Sequence, residues 1–253
     1  MKYFFLVLLT FAASTLFLID LKSADGEIIQ KSPLPLPSSK TVFKTSRRLS
    51  GFSPDSRYYI YLESYQNSVT EVPTAQIQII DLRTNSCVKD GCLKTEYDRS
   101  DSNLTNRAAE DDLLKRTLPI RQALKLTQLK VGIQLPIISH SSKPDATQTE
   151  TVQVRLPNET QPLQIFLQQR SIPSFSPGGS SSVDRAAMRL VLIYNSRRLT
   201  LGDLNNYRWA VQKYAIREVR LSPDGSNVVI LMDMTQPTYE GVWQTTLLQS
   251  FRI

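Results

Sequence analysis

Apolar and polar residues alternate over much of the second half of this 253-residue chain. Val152, Val154 and Leu156 fall on one side of a strand pattern, with Gln153 and Arg155 on the other. After Pro157-Asn158, Leu163, Ile165 and Leu167 resume it, and the segments AAMRLVLIYN, RRLTLG and YAIREVRLS continue in the same way. A period of two predicts strands with one face buried. Helical periodicity occurs in one stretch, about 105–131, where Leu113, Ile120 and Leu124 share a face. Asn103 or Thr105 can cap that helix, Glu110, Asp111 and Asp112 lie in its early turns, and basic residues follow, all in favour of the dipole. Pro119 should kink it or divide it in two.

Two stretches 169 residues apart align without a gap, Ser53 to Arg83 and Ser222 to Arg252. Each opens with Ser-Pro-Asp, enters an apolar run, crosses a polar loop and returns in a second apolar run ending on arginine. Only six of the 31 aligned positions are identical, so the equal spacing carries the argument. Pro54 and Pro223 preset the backbone for a type I turn, and Asp55 and Asp224 can accept N–H groups from it. Gly225 tolerates positive φ where the first copy has Ser56. Calcium would need several acidic residues in one short loop, so both aspartates are read as turn caps.

The expected fold is therefore mainly β, an antiparallel sandwich or partly closed barrel built around two propeller-like meanders and one helical segment. The two meanders are expected to meet in one sheet. Residues 1–24 carry one early lysine and then an uncharged apolar stretch from Tyr3 to Ile19, the pattern of an export signal. Its removal is the preferred reading; an uncleaved anchor formed by residues 3–19 is the alternative. The proline-spaced sequence KSPLPLPSSK makes 25–46 a tether, leaving 47–253 as one β-rich domain.

Net charge is +7, and +6 without the first 24 residues. Arginine pairs stand at Arg47-Arg48 and Arg197-Arg198, with Arg208, Lys213, Arg217 and Arg220 further along. An exported basic protein favours anionic polymers or headgroups, although a solvated surface accounts for the same residues. Nucleic acid is a poor partner, since no basic helix or aromatic RNA-binding motif is present. The two cysteines, Cys87 and Cys92, flank Asp90-Gly91, and a short hairpin there would set the sulfurs opposite each other. In an oxidising compartment they form a disulfide.

Catalytic signatures are sparse. His140, the sole histidine, sits in a polar loop-like stretch, and no G-x-S-x-G elbow accompanies it. The Gly/Ser-rich loop at 174–184 lacks the ending of a P-loop. No cofactor or metal is expected. For a hydrolase using paired carboxylates the residues to inspect are Glu63, Asp81, Asp233 and Glu240. For a contact surface they are Tyr207, Arg208, Trp209 and Tyr214, residue types favoured at interfaces, with Trp209 itself expected in the core.

The export signal, GFSPDSRYYIYLES, IQIIDLRTNSCV, the helical stretch ending near LKVG and YAIREVRLSPDGSNVVILMDMTQPTYEG together resemble the bacterial predicted secreted protein family (domain of unknown function 2259). That resemblance implies export and a common fold, and no activity. The Ser-Pro-Asp openings and IQIIDL also resemble repeats of TolB-like β-propellers, but a propeller needs about four to eight blades and two copies are visible. The expected function is that of an exported, non-enzymatic cell-envelope protein binding another envelope protein or an anionic polysaccharide. Membrane contact would come only through an uncleaved N-terminal segment. The alternatives are a carboxylate-dependent hydrolase of an envelope polymer and an assembly protein pairing through strand edges.

Overall fold

The structure is a computed structural model that describes residues 41–66, 72–95, 97–143, 149–172, 184–237 and 241–253. The signal or anchor reading of residues 1–24, Glu240 and nearly all of the Gly/Ser-rich loop lie outside these residues. No helix among the described residues is long and apolar enough to cross a membrane.

The period-two segments fold as strands, and the protein is mainly β. In chain order these are β1 (Thr41–Lys44), β2 (Ser46–Phe52), β3 (Tyr58–Gln66), β4 (Pro73–Asp81), β5 (Ser86–Lys94), β6 (Ile133–Gln134) and β7 (Ile137–Lys143). They continue with β8 (Thr149–Val154), β9 (Leu163–Ile172), β10 (Arg185–Tyr194), β11 (Arg197–Trp209), β12 (Lys213–Leu221), β13 (Asn227–Pro237) and β14 (Gly241–Arg252). Three sheets result: β2-β3-β4-β5, β1-β14-β13-β12-β6 and β11-β10-β9-β8-β7. All pairings are antiparallel except that of β1 with β14. Because β1 joins β14, the sheets take in residues that the proline spacing assigns to the tether.

Side-chain alternation sets the order of layers. Ile60 and Leu62 of β3 pack with Ala109 and Leu113 of the helix, while Tyr59 and Tyr61 turn the other way to Val229, Leu231 and Leu248 of the second sheet. Val228, Ile230 and Met232 then face Val152, Ile165, Leu167 and Leu190 of the third. The stack runs helices, first sheet, second sheet, third sheet. This explains why β13 reads as one continuous apolar run: both of its faces are covered.

The two meanders do not meet in one sheet. The first lies in the β2–β5 sheet and the second in the sheet of β12–β14, stacked face to face. Edge-to-edge closure is unavailable because β2 and β5 already flank the first pair, while β12 and β1 flank the second.

The helical stretch divides at the expected place, into α1 (Asn106–Arg116) and α2 (Leu118–Ala123), with Pro119 in the first turn of α2. Thr105 caps α1 by accepting the Ala108 N–H at 3.2 Å. Regular helix ends at Ala123 and not near 131, because Lys125 takes φ of 54°.

The disulfide joins Cys87 and Cys92. Its frame differs from the expected hairpin, since both cysteines belong to β5: Cys87 pairs with Ile80 and Cys92 with Gln78. The residues between them bulge out of a single strand, with Asp90 at φ 57°.

His140 lies in strand β7 and not in a loop, with its Nε2 3.1 Å from Glu150 Oε1. The same Glu150 oxygen accepts the Ile216 N–H at 3.1 Å, and Gln169 both accepts from Tyr214 N at 2.8 Å and donates to its carbonyl at 3.1 Å. Side chains of the third sheet thus occupy the open edge of β12 where no strand pairs with it.

Candidate functional site

The Ser-Pro-Asp turns share the same framework of hydrogen bonds. Ser53 and Ser222 donate through Oγ to Asp55 and Asp224 at 2.5 and 2.6 Å. The same hydroxyls accept from Tyr58 N at 3.0 Å and Asn227 N at 2.9 Å. Ser56 takes φ of 54° and Gly225 of 74°, so the first copy holds the left-handed residue without glycine. Both aspartates are held below the usual carboxylate range: Asp55 chiefly by the Ser53 hydroxyl, Asp224 by the hydroxyls of Ser222 and Ser226 and the Ser226 N–H, which outweigh partial burial. Asn227 Nδ2 donates to Ser56 O at 3.0 Å, tying the two turns to each other.

Among the described carboxylates proposed for hydrolysis, Glu63 and Asp233 come together around Thr246 and Arg217 without opening a cleft, and Asp81 lies apart. Glu63 has no exposed surface, and its carboxylate accepts from Thr45 Oγ1 at 2.6 Å, Thr246 N at 2.7 Å, Thr246 Oγ1 at 2.6 Å and Gln76 Nε2. Asp233 pairs with Arg217 at 2.8 Å, and Arg217 also donates to Tyr61 Oη and Thr246 Oγ1, both at 3.0 Å. These groups stitch the first sheet to the second. Asp81 sits at the other end of the β3–β4 hairpin, five residues along β4 from the Gln76 that pairs with Glu63, or roughly 17 Å. There it pairs with Arg57 at 3.3 Å and Arg83 at 3.6 Å.

The four proposed contact residues do not form one exposed surface, although Arg208 donates to Tyr214 Oη at 3.5 Å. Tyr214 is completely buried and donates to Ala186 O at 3.2 Å. Trp209, expected in the core, is 65% exposed, with the Arg185 guanidinium 4.8 Å from its ring centre. Arg208 is exposed and Tyr207 half-buried. The reversal has a simple cause: β11 is an edge strand in which Leu204 alone is buried, whereas Tyr214 opens β12 against the third sheet.

The basic residues are sorted by the fold. Arg47 pairs with Glu218 at 3.2 Å, Arg48 with Glu110 at 2.6 Å and Asp111 at 3.0 Å, and Arg220 with Glu218. Arg197 and Arg198 behave differently. They follow a two-residue turn in which Asn195 and Ser196 both have positive φ (47° and 62°), the type I′ geometry suited to a hairpin. That turn projects both arginines, exposed, into an open cavity of about 580 Å³. Tyr194, Leu199, Phe251 and Arg252 complete its main walls. No ion pair among the described residues engages Arg197, Arg198 or Arg252. Partial burial, with Glu159 beside it, raises the Tyr194 phenol above its ordinary value, keeping it a neutral donor.

This cavity opens on the rim where the hairpin ends of the stacked sheets gather. A second cavity, of about 270 Å³, lies between the twin turns and is lined by Asp55, Arg57, Arg83, Asp224, Asn227 and, again, Arg252. The arginine pair at 197–198 is visible in the sequence, but its setting is not: Phe251 and Arg252 come from the far end of the second meander.

No curated protein matches the chain. Residues 61–252, from within β3 to the end of β14, match the family described as predicted secreted protein (DUF2259), and the chain belongs to that family.

Proposed function

We propose that the protein is an exported, non-enzymatic binding module of the bacterial cell envelope that holds an anionic polysaccharide in the arginine-lined cavity. The observation that carries this reading is the set of three arginines, Arg197, Arg198 and Arg252, which share one open cavity and have no acidic ion-pair partner among the described residues. Guanidinium groups present a fork of donors that matches carboxylate or phosphate oxygens. Tyr194, Leu199 and Phe251 beside them offer surface for the C–H faces of a sugar ring. Family membership supports secretion, and the enclosure of Glu63 argues against its use as a hydrolytic acid. The test is pull-down from envelope extracts together with direct glycan binding by the full chain. Retention of acidic glycans without shortening them is the expected result; cleavage of an envelope polymer with no stable binding would overturn the reading.

A second reading is assembly through strand edges. Strand β7, at the margin of the third sheet, is exposed along its whole length and carries Ile137 and Ile138, at 42% and 45% exposure. Such an edge can accept a further strand. Size-exclusion profiles holding only monomer in every envelope fraction would count against it.

A further inference from the structure

The cavity between the twin turns has a different chemistry from the arginine cleft it adjoins. Arg252 lines both, so the two spaces meet at that side chain. In the cleft, Arg197, Arg198 and Arg252 make no ion pair among the described residues, and the nearby Glu159 carboxylate is engaged with Tyr194. Between the turns, Arg57, Arg83 and Arg252 are set among Asp55 and Asp224, and Asp81 already pairs with Arg57 and Arg83. Charge there is close to balanced, while donors and acceptors are dense. Two polar atoms of its lining residues, Arg57 Nε, a donor, and Asn227 Oδ1, an acceptor, are buried and have no hydrogen-bond partner among the described residues. Orphaned groups of this kind are rare in folded proteins and are found where a ligand or ordered water completes the bonding. A mixed set of carboxylates, guanidinium groups and an amide suits hydroxyls, which donate and accept at once. It suits a second anionic group poorly.

The placement follows from the repeat. Arg83 and Arg252 are equivalent residues of the two copies, carried on stacked sheets about 10 Å apart. We infer that the rim binds a polysaccharide in which charged and uncharged units alternate, with an acidic unit in the arginine cleft and the neighbouring neutral, hydroxyl-rich unit between the two Ser-Pro-Asp turns. The inference rests on the reading of the cleft as an anion site and goes beyond it by naming a second subsite and the order of units.

The experiment compares three probes of equal length against the full chain by calorimetric titration: hyaluronan oligosaccharides, which alternate acidic and neutral units; oligogalacturonate, in which every unit is acidic; and inorganic polyphosphate. Hyaluronan fragments are expected to bind about tenfold more tightly than oligogalacturonate, the scale of one added charge-assisted hydrogen bond. Arg57→Gln with Arg83→Gln, at residues whose side chains are 42% and 55% exposed, should remove that preference, so that the variant binds the two oligosaccharides alike. Thermal melting of the variant verifies that it is folded. Equal or tighter binding of oligogalacturonate or polyphosphate, or a preference that survives the double substitution, would overturn the second subsite alone. Failure of all three probes, or binding indifferent to Arg197→Gln with Arg198→Gln, would instead sink the cleft reading on which it rests.

Discussion

Arg48 and Arg217 occupy the same position in the two copies of the meander, and each is the extra residue of a β-bulge, one between Arg47 and Leu49, the other between Ile216 and Glu218. The repeat therefore reaches back beyond the Ser-Pro-Asp turns into β2 and β12. In the second copy the bulged arginine pairs with Asp233 on the adjacent strand. The equivalent residue of the first copy is Ser64, which donates at 2.7 Å to Glu110 of α1, and Glu110 in turn meets Arg48. Helix α1 supplies the carboxylate that the strand lacks, and it covers the first sheet as the first sheet covers the second.

That latch makes Glu110→Ala costly. The substitution leaves the buried Ser64 without its acceptor and Arg48 with Asp111 alone, and a loss of about 3 kcal/mol is expected in urea unfolding. Hydrogen exchange should accelerate in α1 before β13. A double-mutant cycle with Arg48→Ala that shows no coupling would contradict the latch.

Gly225→Ala isolates backbone strain. A Cβ at this position meets nothing within 4 Å, so φ of 74° is the whole cost, about 1 kcal/mol. Denaturation midpoints of Gly225→Ala and Gly225→Ser should fall by similar amounts, because the equivalent Ser56 of the first copy also holds a positive φ, 54°.

The acid limb of stability has a definite sign. Asp55 and Asp224 have folded pKa values below the ordinary 3.8, so their contribution is present above that value and is lost as pH falls through the depressed ones. Asp55→Asn with Asp224→Asn should lower stability at pH 7, and its curve should converge on that of the parent once pH falls below the depressed values, read by thermal melting across pH. A constant difference at all pH values would contradict this.

The Cys87–Cys92 bridge closes a short loop inside one strand. Replacing both by serine should cost about 2 kcal/mol, the chain-entropy value for so small a loop. Chemical denaturation of the double variant against the oxidised protein measures it.

Much of the architecture is legible where local chemistry decides it. The twin turns follow from Ser-Pro-Asp, the helix break from Pro119, and the strands on either side of Pro157-Asn158 from strict alternation. Strand β7 is not legible, because an edge strand exposed on both faces has no apolar alternation to display. Trp209 and Tyr214 exchange their expected places since the face a residue takes depends on which strands flank its own. The cleft follows the same logic: Arg197-Arg198 is conspicuous, yet so is Arg47-Arg48, and only the fold decides which pair finds carboxylates. The bulged arginines lie upstream of the Ser-Pro-Asp turns, where Lys44 matches Lys213 and Arg48 matches Arg217 at the same offset of 169 residues.

The most direct measurement is an equilibrium titration of hyaluronan oligosaccharide into the full chain and into an Arg197→Gln/Arg198→Gln/Arg252→Gln variant, at low and at physiological salt. The account predicts binding by the parent that weakens as salt rises, and a loss of about a hundredfold or more in the triple variant, whose melting temperature stays close to the parent's. Equal affinity of the two proteins, or no binding by the parent at low salt, would contradict it.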